Sequence, residues 1–503
     1  MVKIETYYLT TAIPYVNAAP HIGHALEFVQ TDVIARYQRL QGKDTALVTG
    51  SDENSLKNVH AAEKQGITTA QLCERNAEIF KNMAEKIGLS FTSFRRTSSR
   101  EKHWPGVQRL WELCDKSGDI YKKKYRGLYC VGCESFYEES ELPEGVCPEH
   151  KTKPEMVEEE NYFFKLSKYE KKLEGLIESN ELQVLPKTRK NEVLSFIRGG
   201  LKDFSVSRSV ERAKGWGVPV PNDPSQILYV WFDALGTYLT GIGYGTDDET
   251  FSKYWPADVH VIGKGILRFH AIYWPAMLLS AGLELPKRIM VHGYITVEGQ
   301  KMGKSLGNMI DPFHLMEKYG ADPLRYCLLS EVPTFDDGDF SEKALIGKTN
   351  RELIANLGNF LYRTLKLIEK FHDSKIPEPG ELDERDEELL ASITQYKGDI
   401  AEYIEKIELK RAQDAVLEFS SLFNKYLSDR EPWKNEEKRS QTLYVCSRGT
   451  TALAIFMEPF LPFSAEKLRS LLNMKGIGWS AADAETLQPG GSIKAEPLFR
   501  KIE

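Results

Sequence analysis

Residues 11–24 read TAIPYVNAAPHIGH, and this stretch decides the fold. An apolar run precedes it, and Pro14 ends any strand there because proline has no N–H to donate. A long helical pattern follows His24. A tight turn between a strand and a helix is a common anion site, since the helix N-terminus offers unpaired N–H groups and a positive dipole end. Gly23 would let backbone and ligand approach closely.

Two histidines stand in this turn. His21 and His24 lie about one turn apart if the helix has begun, so both imidazoles could face one site. The alternative is two histidines that only satisfy groups at the helix start.

Composition narrows the class of protein. The chain has 503 residues, enough for two to four domains, with a net charge of −7, 41% hydrophobic and 28% charged residues. These values are ordinary for a globular protein. We find no secretory segment and no apolar run of the ~18 residues that a membrane span needs. We therefore expect a cytoplasmic protein without a membrane partner.

The first half alternates strands with helices, which indicates a parallel, doubly wound α/β sheet. The strand over 44–48 is followed by Asp52. A carboxylate just past a strand end could hold a substrate ammonium group, or it could cap the next helix.

Two half-sites for a metal ion follow. Cys130 and Cys133 form a CxxC turn, and Cys147 and His150 form a CxxH turn about a dozen residues later. Four nitrogen and sulfur ligands at this spacing predict one structural Zn²⁺ ion. The alternative is reduced cysteines at turns.

The second half adds a pocket and a basic loop. Ile266, Phe269, His270 and Trp274 share one helix face beside a glycine turn, where they could line an apolar pocket or pack in the core. The segment KMGKS, residues 301–305, predicts a mobile cationic loop that could stabilise charge on phosphates, although a solvated basic loop has the same pattern.

These motifs together resemble one enzyme family. PHIGH and KMGKS are similar to the HIGH and KMSKS signatures of class I aminoacyl-tRNA synthetases. The order of TGSDEN, LYCVGCESFY, YVWFDAL, RFHAIYWPAML, LGNFLYR and EPWK resembles the methionyl-tRNA synthetases, over nearly the whole chain.

The resemblance implies a fold and a set of domains. The fold would be a Rossmann-type doubly wound parallel sheet with an inserted zinc-knuckle domain and a C-terminal α-helical bundle. The ranges would be 1–115 and 226–295 for the catalytic domain, 116–225 for the insertion, 296–345 for the basic loop and stem-contact linker, 346–482 for the anticodon-binding bundle and 483–503 for a tail.

It also implies roles for individual residues. The catalytic groups would be His21, His24, Lys301 and Lys304. Methionine would contact Ile13, Tyr15, Asp52, Trp231, Ala234, Tyr238, Ile266, Phe269, His270 and Trp274. ATP would contact Pro20, Gly23, Gly263, His292, Gly293, Lys301, Met302, Lys304 and Ser305. The tRNA anticodon would contact Asn359, Arg363 and Trp433.

The implied reaction has two steps. L-methionine and ATP, with Mg²⁺, would form methionyl-adenylate and pyrophosphate. Methionine would then pass to the 3′-terminal adenosine of tRNA(Met). The chain resembles the short form of the family, which lacks a C-terminal tRNA-binding tail and is generally monomeric.

Several positions depart from the family pattern. Gly303 replaces the serine of KMSKS, and Leu235 and Ala355 replace a usual proline and asparagine. Gly265 stands where the family has an aspartate that contacts the ATP ribose, so ribose binding must use other groups or be weaker.

Two rival functions stay open from the sequence. One is a class I synthetase for another amino acid, against which Trp231, Tyr238 and His270 argue together. The other is an inactive paralogue that binds RNA, against which the intact histidines and lysines argue.

Overall fold

The structure is a computed structural model that describes residues 4–503 except 131–134, 138, 140–141, 149–150, 303–306, 475, 477 and 485–486. The chain begins with alternating strands and helices. These are β1 Thr6–Thr10, α1 Ile22–Leu40, β2 Asp44–Ser51, α2 Leu56–Gln65, α3 Thr69–Lys86, β3 Ser93–Arg96 and α4 Trp104–Lys116.

A stretch richer in antiparallel pairs follows. It contains β4 Ile120–Cys130, β5 Ser135–Tyr137, β6 Glu155–Phe164, α5 Glu170–Glu178, β7 Gln183–Leu185, α6 Lys187–Arg198, β8 Phe204–Ser205, β9 Ser207–Ser209, β10 Pro219–Val220 and β11 Asp223–Leu228.

The chain then returns to alternating elements. These are α7 Val230–Leu235, α8 Thr237–Thr240, α9 Asp248–Tyr254, β12 Val259–Gly263, a π-helical turn Phe269–Tyr273, α10 Trp274–Ala281, β13 Arg288–His292, β14 Ile295–Val297, β15 Gln300–Lys301, α11 Pro312–Tyr319, α12 Ala321–Glu331, β16 Gly338–Phe340 and α13 Glu342–Lys348.

The last part is helical, as the sequence predicts. A π-helical segment Thr349–Gly358 leads into α14 Asn359–Phe371, α15 Glu384–Glu405, α16 Leu409–Arg430, α17 Arg439–Phe456 and α18 Pro462–Leu471. No helix of the described chain combines the length and the apolar character that a membrane crossing requires.

The central sheet has six parallel strands in the order β3-β2-β1-β12-β13-β7. Its middle strands are apolar runs covered by helices on both faces, as parallel sheets require. The strand order reverses direction between β1 and β12, and open α/β sheets bind ligands in the crevice at such a point. The predicted parallel α/β fold is therefore confirmed.

The predicted domain boundaries stay predictions. One strand of the central sheet, β7, comes from the range 116–225 assigned to the insertion. The rest of that range contains helices α5 and α6, a four-stranded antiparallel sheet in the order β5-β4-β6-β8, and most of a small sheet of β9, β10 and β11.

A buried arginine joins the first helix of the α/β part to the C-terminal helical part. Arg325 of α12 is fully buried and pairs with Asp32 of α1 at 2.8 Å. Its guanidinium also donates to three backbone carbonyls, those of Ile87, Pro459 and Phe460. These four contacts offset the free-energy cost of burying the guanidinium charge, which an unpaired group would not recover.

Replacing Arg325 with methionine should lower the free energy of unfolding by about 3 kcal/mol or more, because Asp32 and three carbonyls lose a buried partner. Urea unfolding of the whole chain measures this loss. The control is Lys406→Ala, which breaks an exposed pair with Glu402 at the C-terminal end of α15 and should leave the unfolding midpoint unchanged. Equal midpoints for both variants would contradict the account.

Candidate active site

A cavity of about 580 Å³ opens at the carboxyl ends of β1 and β12, at the reversal point of the sheet. Fifteen of the predicted site residues line it: Ile13, Tyr15, His21, Gly23, His24, Asp52, Trp231, Ala234, Tyr238, Gly263, Ile266, His270, His292, Gly293 and Met302. Five segments that are separate in sequence therefore meet in one cavity.

The two histidines cap helix α1 and face the cavity at the same time. His21 Nδ1 accepts a hydrogen bond from the Gly23 N–H at 3.1 Å, and His24 Nδ1 accepts from the His21 N–H at 3.1 Å. A backbone N–H only donates, so in each neutral ring the proton stands on Nε2. The ring centroids lie 3.8 Å apart. The cap thus uses the Nδ1 atom of each ring, and both rings line the cavity.

His24 stays uncharged in this position. Desolvation inside the cavity lowers the pKa of His24 well below its ordinary value, and the neighbouring His21 and His292 lower it further. A neutral imidazole in the Nε2–H form is a hydrogen-bond donor without a net charge.

The expected backbone anion site is wrong. The Ile22 N–H donates to the Ile310 carbonyl at 3.2 Å, the Gly23 N–H to the His21 ring, and the His24 and Ala25 N–H groups to the His21 carbonyl. The first turn of α1 therefore has its backbone donors satisfied inside the protein. An anion here would meet the imidazoles and the positive end of the helix dipole.

Asp52, the candidate for pairing with a substrate ammonium group, also lines the cavity. Asp52 is 3% exposed, and its N–H donates to the Pro14 carbonyl at 2.8 Å, which fixes it beside Tyr15. The alternative that Asp52 caps the next helix is wrong, because Ser55 caps α2 through a bond from the Lys57 N–H.

Hydrogen bonds between uncharged groups fix the side chains at the apolar end of the cavity. His270 Nδ1 must donate to the Ile266 carbonyl at 2.9 Å, since a carbonyl only accepts, so its Nε2 accepts from the Tyr238 hydroxyl at 2.6 Å. Burial lowers the pKa of His270 to about 4. Trp231 lies stacked on Phe269 at 3.8 Å between ring centroids.

One predicted methionine contact lies deeper. Trp274 is fully buried and donates from Nε1 to His260 Nε2 at 3.2 Å, and His260 is in turn bonded to Thr10. Trp274 therefore supports the pocket wall from behind.

Sequence reasoning missed a carboxylate that lines the cavity beside His292. Glu27 of α1 accepts from the Ala12 N–H at 2.8 Å and lies 3.0 Å from His292 Nε2. The other ring nitrogen of His292 faces the Gly293 carbonyl at 2.8 Å. Glu27 comes three residues after His24, so the spacing of a helix face could have pointed to it.

A buried network behind the pocket was missed as well. Asp233 accepts from Asn54 at 2.7 Å and pairs with His103 at 2.8 Å, and His103 also bonds Thr240. Asn54 is two residues from Asp52, and Asp233 is adjacent to Ala234. The network therefore fixes the ammonium candidate relative to the helix that lines the apolar end.

Gly265 has a structural reason to lack a side chain. A Cβ added there would lie 2.1 Å from the hydroxyl of Tyr294. Tyr294 thus fills the space beside Gly263 that a side chain at 265 would enter.

The basic loop starts beside the histidines. Met302 Cε lies 3.7 Å from the position of a Cβ added at Gly23, and Ile310 contacts Ile22 through the backbone. Lys301 ends the short strand β15. The predicted residues Lys304 and Ser305 lie outside the described residues, and Pro20 is buried just before the cap.

The structure describes two of the four predicted zinc ligands. Cys133 and His150 lie outside the described residues. Cys130 and Cys147 are both buried and approach the same residue: Cys130 Sγ is 4.0 Å from the Thr152 hydroxyl, and the Cys147 N–H donates to the Thr152 carbonyl at 2.9 Å. Within the described chain, no three metal-binding side chains come together.

The anticodon candidates lie on the helical part. The Arg363 guanidinium lies 5.3 Å from the ring of Trp433 and donates to Asn424 at 3.2 Å. Asn359 stands one turn before Arg363 on α14. Trp433 is partly exposed and is therefore not a residue of the buried core.

Known proteins match the whole chain. A family model described as tRNA synthetases class I (M) matches residues 7–153 and 141–365, and one described as the anticodon binding domain of methionyl tRNA ligase matches residues 376–503. The site and the family model together define a class I aminoacyl-tRNA synthetase.

Individual relatives show which family of class I synthetases the chain belongs to. A methionine–tRNA ligase of Brucella suis is 43% identical over 98% of each chain, and one of Mycobacterium bovis is 43% identical over 97% of this chain and 96% of its own. The solved structure of Mycobacterium tuberculosis methionyl-tRNA synthetase in complex with methionyl-adenylate has a TM-score of 0.94 at 41% identity, covering 99% of this chain and 100% of its own. The chain belongs to the methionyl-tRNA synthetase family, whose activity is to activate methionine with ATP and transfer it to tRNA.

Stability should depend on pH through His270. Its pKa is about 4 when folded and about 6.5 when unfolded, so the unfolded chain binds the extra proton between these values and stability falls as pH falls through that window. Between pH 6.5 and 5, protonation of this ring in the unfolded chain should lower the free energy of unfolding by about 2 kcal/mol. Urea unfolding of the wild type and of His270→Gln at both pH values should show a smaller loss in the variant. Equal losses would contradict a neutral buried ring.

Proposed function

We propose that methionyl-adenylate forms in the cavity between β1 and β12, with His21 and His24 acting on the phosphates. The observation that carries this proposal is the cap of α1, which holds both imidazoles as Nε2–H donors into the cavity. In this position the two donors would stabilise charge that develops on the α-phosphate.

The amino acid would lie at the apolar end. Asp52 would pair with the methionine ammonium group, and its thioether would lie among Trp231, Tyr238 and His270. Sulfur packs favourably against aromatic rings, and a wall of neutral groups suits an uncharged side chain.

No general base is needed in this reaction. The methionine carboxylate is already ionised and would attack the α-phosphorus in line, releasing pyrophosphate. Positioning and charge stabilisation would therefore provide the rate. Lys301 and Lys304 would neutralise the leaving pyrophosphate. Mg²⁺ bound with ATP would supply further neutralisation of phosphate charge.

His24→Ala should lower kcat of methionine-dependent ATP–pyrophosphate exchange by about 10²–10³-fold, or about 2.7–4 kcal/mol, because an N–H donor to the transition state is lost. The KM for methionine should change little. His60→Ala, on α2 away from the cavity, is the control. Near-normal exchange by the His24 variant would remove its role.

The same assay tests the rivals when each amino acid is offered in turn. Exchange with methionine alone supports the proposal. Exchange with another amino acid supports a different specificity, and no exchange with preserved tRNA binding supports an RNA-binding paralogue.

The anticodon of tRNA(Met) would bind at Asn359, Arg363 and Trp433. The ring of Trp433 would stack on an unpaired base, while Arg363 and Asn359 would bond to base edges. Arg363 and Trp433 already lie together, which supports a shared site.

One Zn²⁺ ion would be bound by Cys130, Cys133, Cys147 and His150. The two described cysteines are buried and converge on Thr152, and three thiolates with one imidazole are a ligand set that suits zinc. The ion would stabilise the tip of the antiparallel sheet and take no part in the reaction.

Cys147→Ser should abolish bound zinc, measured by elemental analysis after dialysis, because a structural site needs all four ligands. Cys446→Ser, a buried cysteine of α17, should keep the ion and serves as the control. Full zinc content in the Cys147 variant, or none in the wild type, would contradict the assignment.

A further inference from the structure

An acidic linker lies against the hairpin that carries Lys301. Residues 335–341 read FDDGDFS and connect α12 to α13. Within this linker, β16 pairs in parallel with β14, and β14 pairs with β15 in an antiparallel hairpin that ends at Lys301. The linker thus forms the third strand beside that hairpin.

The hairpin has an unfavourable turn. Glu298 and Gly299 join β14 to β15, and both have a positive φ, 51° and 75°. Two-residue hairpin turns of this kind prefer Asn, Asp or Gly at the first position, because other residues strain the left-handed backbone. Glu298 therefore needs an additional contact to hold the turn.

Asp339 supplies that contact. Its Oδ1 accepts from the Gly299 N–H at 2.8 Å and from the Thr296 hydroxyl at 2.7 Å. Thr296 is the residue paired with Lys301 across the hairpin. One carboxylate oxygen thus holds both the turn and the partner of Lys301.

Asp337 fixes the start of the same hairpin. It accepts from the Tyr294 N–H at 2.8 Å and pairs with Lys264, which follows β12 at the cavity, at 2.6 Å. Two alternate residues of the linker, Asp337 and Asp339, therefore contact the hairpin.

We propose that Asp339 is a positioning residue for adenylate formation, which sets the place of Lys301 by holding the Glu298–Gly299 turn. The inference rests on the proposed role of Lys301. Asp339 is exposed, so its bonds contribute little to global stability, and its effect should appear in the rate.

The first test compares three variants by ATP–pyrophosphate exchange. Asp339→Ala should lower kcat by about 10- to 100-fold through misplacement of Lys301, with the methionine KM within about twofold and the melting temperature unchanged. Asp339→Asn should keep most activity, because its amide oxygen accepts the same two bonds. Asp336→Ala is the control, since that exposed side chain makes no hydrogen bond within the described residues.

A second variant separates positioning from a general effect on the linker. Glu298→Asn relieves the turn, so adding it to Asp339→Ala should restore part of kcat. Thr296→Val, which removes one of the two bonds, should give a smaller loss than Asp339→Ala. Absence of rescue, or equal activity of Asp339→Ala and Asp336→Ala, would overturn the proposal.

The variant Lys301→Ala separates a failure of the proposed role of Lys301 from a failure of the proposed role of Asp339. If it keeps normal exchange, the role of Lys301 fails. If it loses exchange while Asp339→Ala does not, only the positioning role of Asp339 fails.

Discussion

The cap of helix α1 is the contact on which the site depends. A helix start must satisfy its free N–H groups, and here the imidazole rings of His21 and His24 do so through their Nδ1 atoms. The same bonds leave Nε2 as the donor and orient both rings into the cavity. The capping and functional interpretations of the two histidines are therefore one arrangement, because the cap sets the tautomer that a phosphate would meet.

The cavity has two ends with different physical character. The apolar end consists of buried aromatic groups and neutral rings, joined by hydrogen bonds such as that between Tyr238 and His270. It is uncharged, apart from Asp52 at its edge. The other end has small residues, with Gly263 and Gly265 leaving room and Tyr294 filling part of it. This division suits a substrate with an apolar side chain and a charged reacting group.

Local sequence signals predicted the parts of the site that local structure determines. The strand, turn and helix around PHIGH, and the carboxylate after β2, follow from short patterns, and their order revealed the family. Contacts made over long distances had no such signal. Ile310 satisfies the Ile22 N–H from nearly 300 residues away, which is why the expected backbone anion site was wrong. Asp233, Asn54 and His103 likewise come from three separate segments, and each alone looks like an ordinary polar residue.

A crystal structure with a non-hydrolysable methionyl-adenylate analogue tests the central claim most directly. The account predicts that the Nε2 atoms of His21 and His24 lie about 2.7–3.2 Å from phosphate oxygens, with the Asp52 carboxylate on the amino group. A phosphate bound by backbone N–H groups, with both imidazoles turned away from it, would contradict the account.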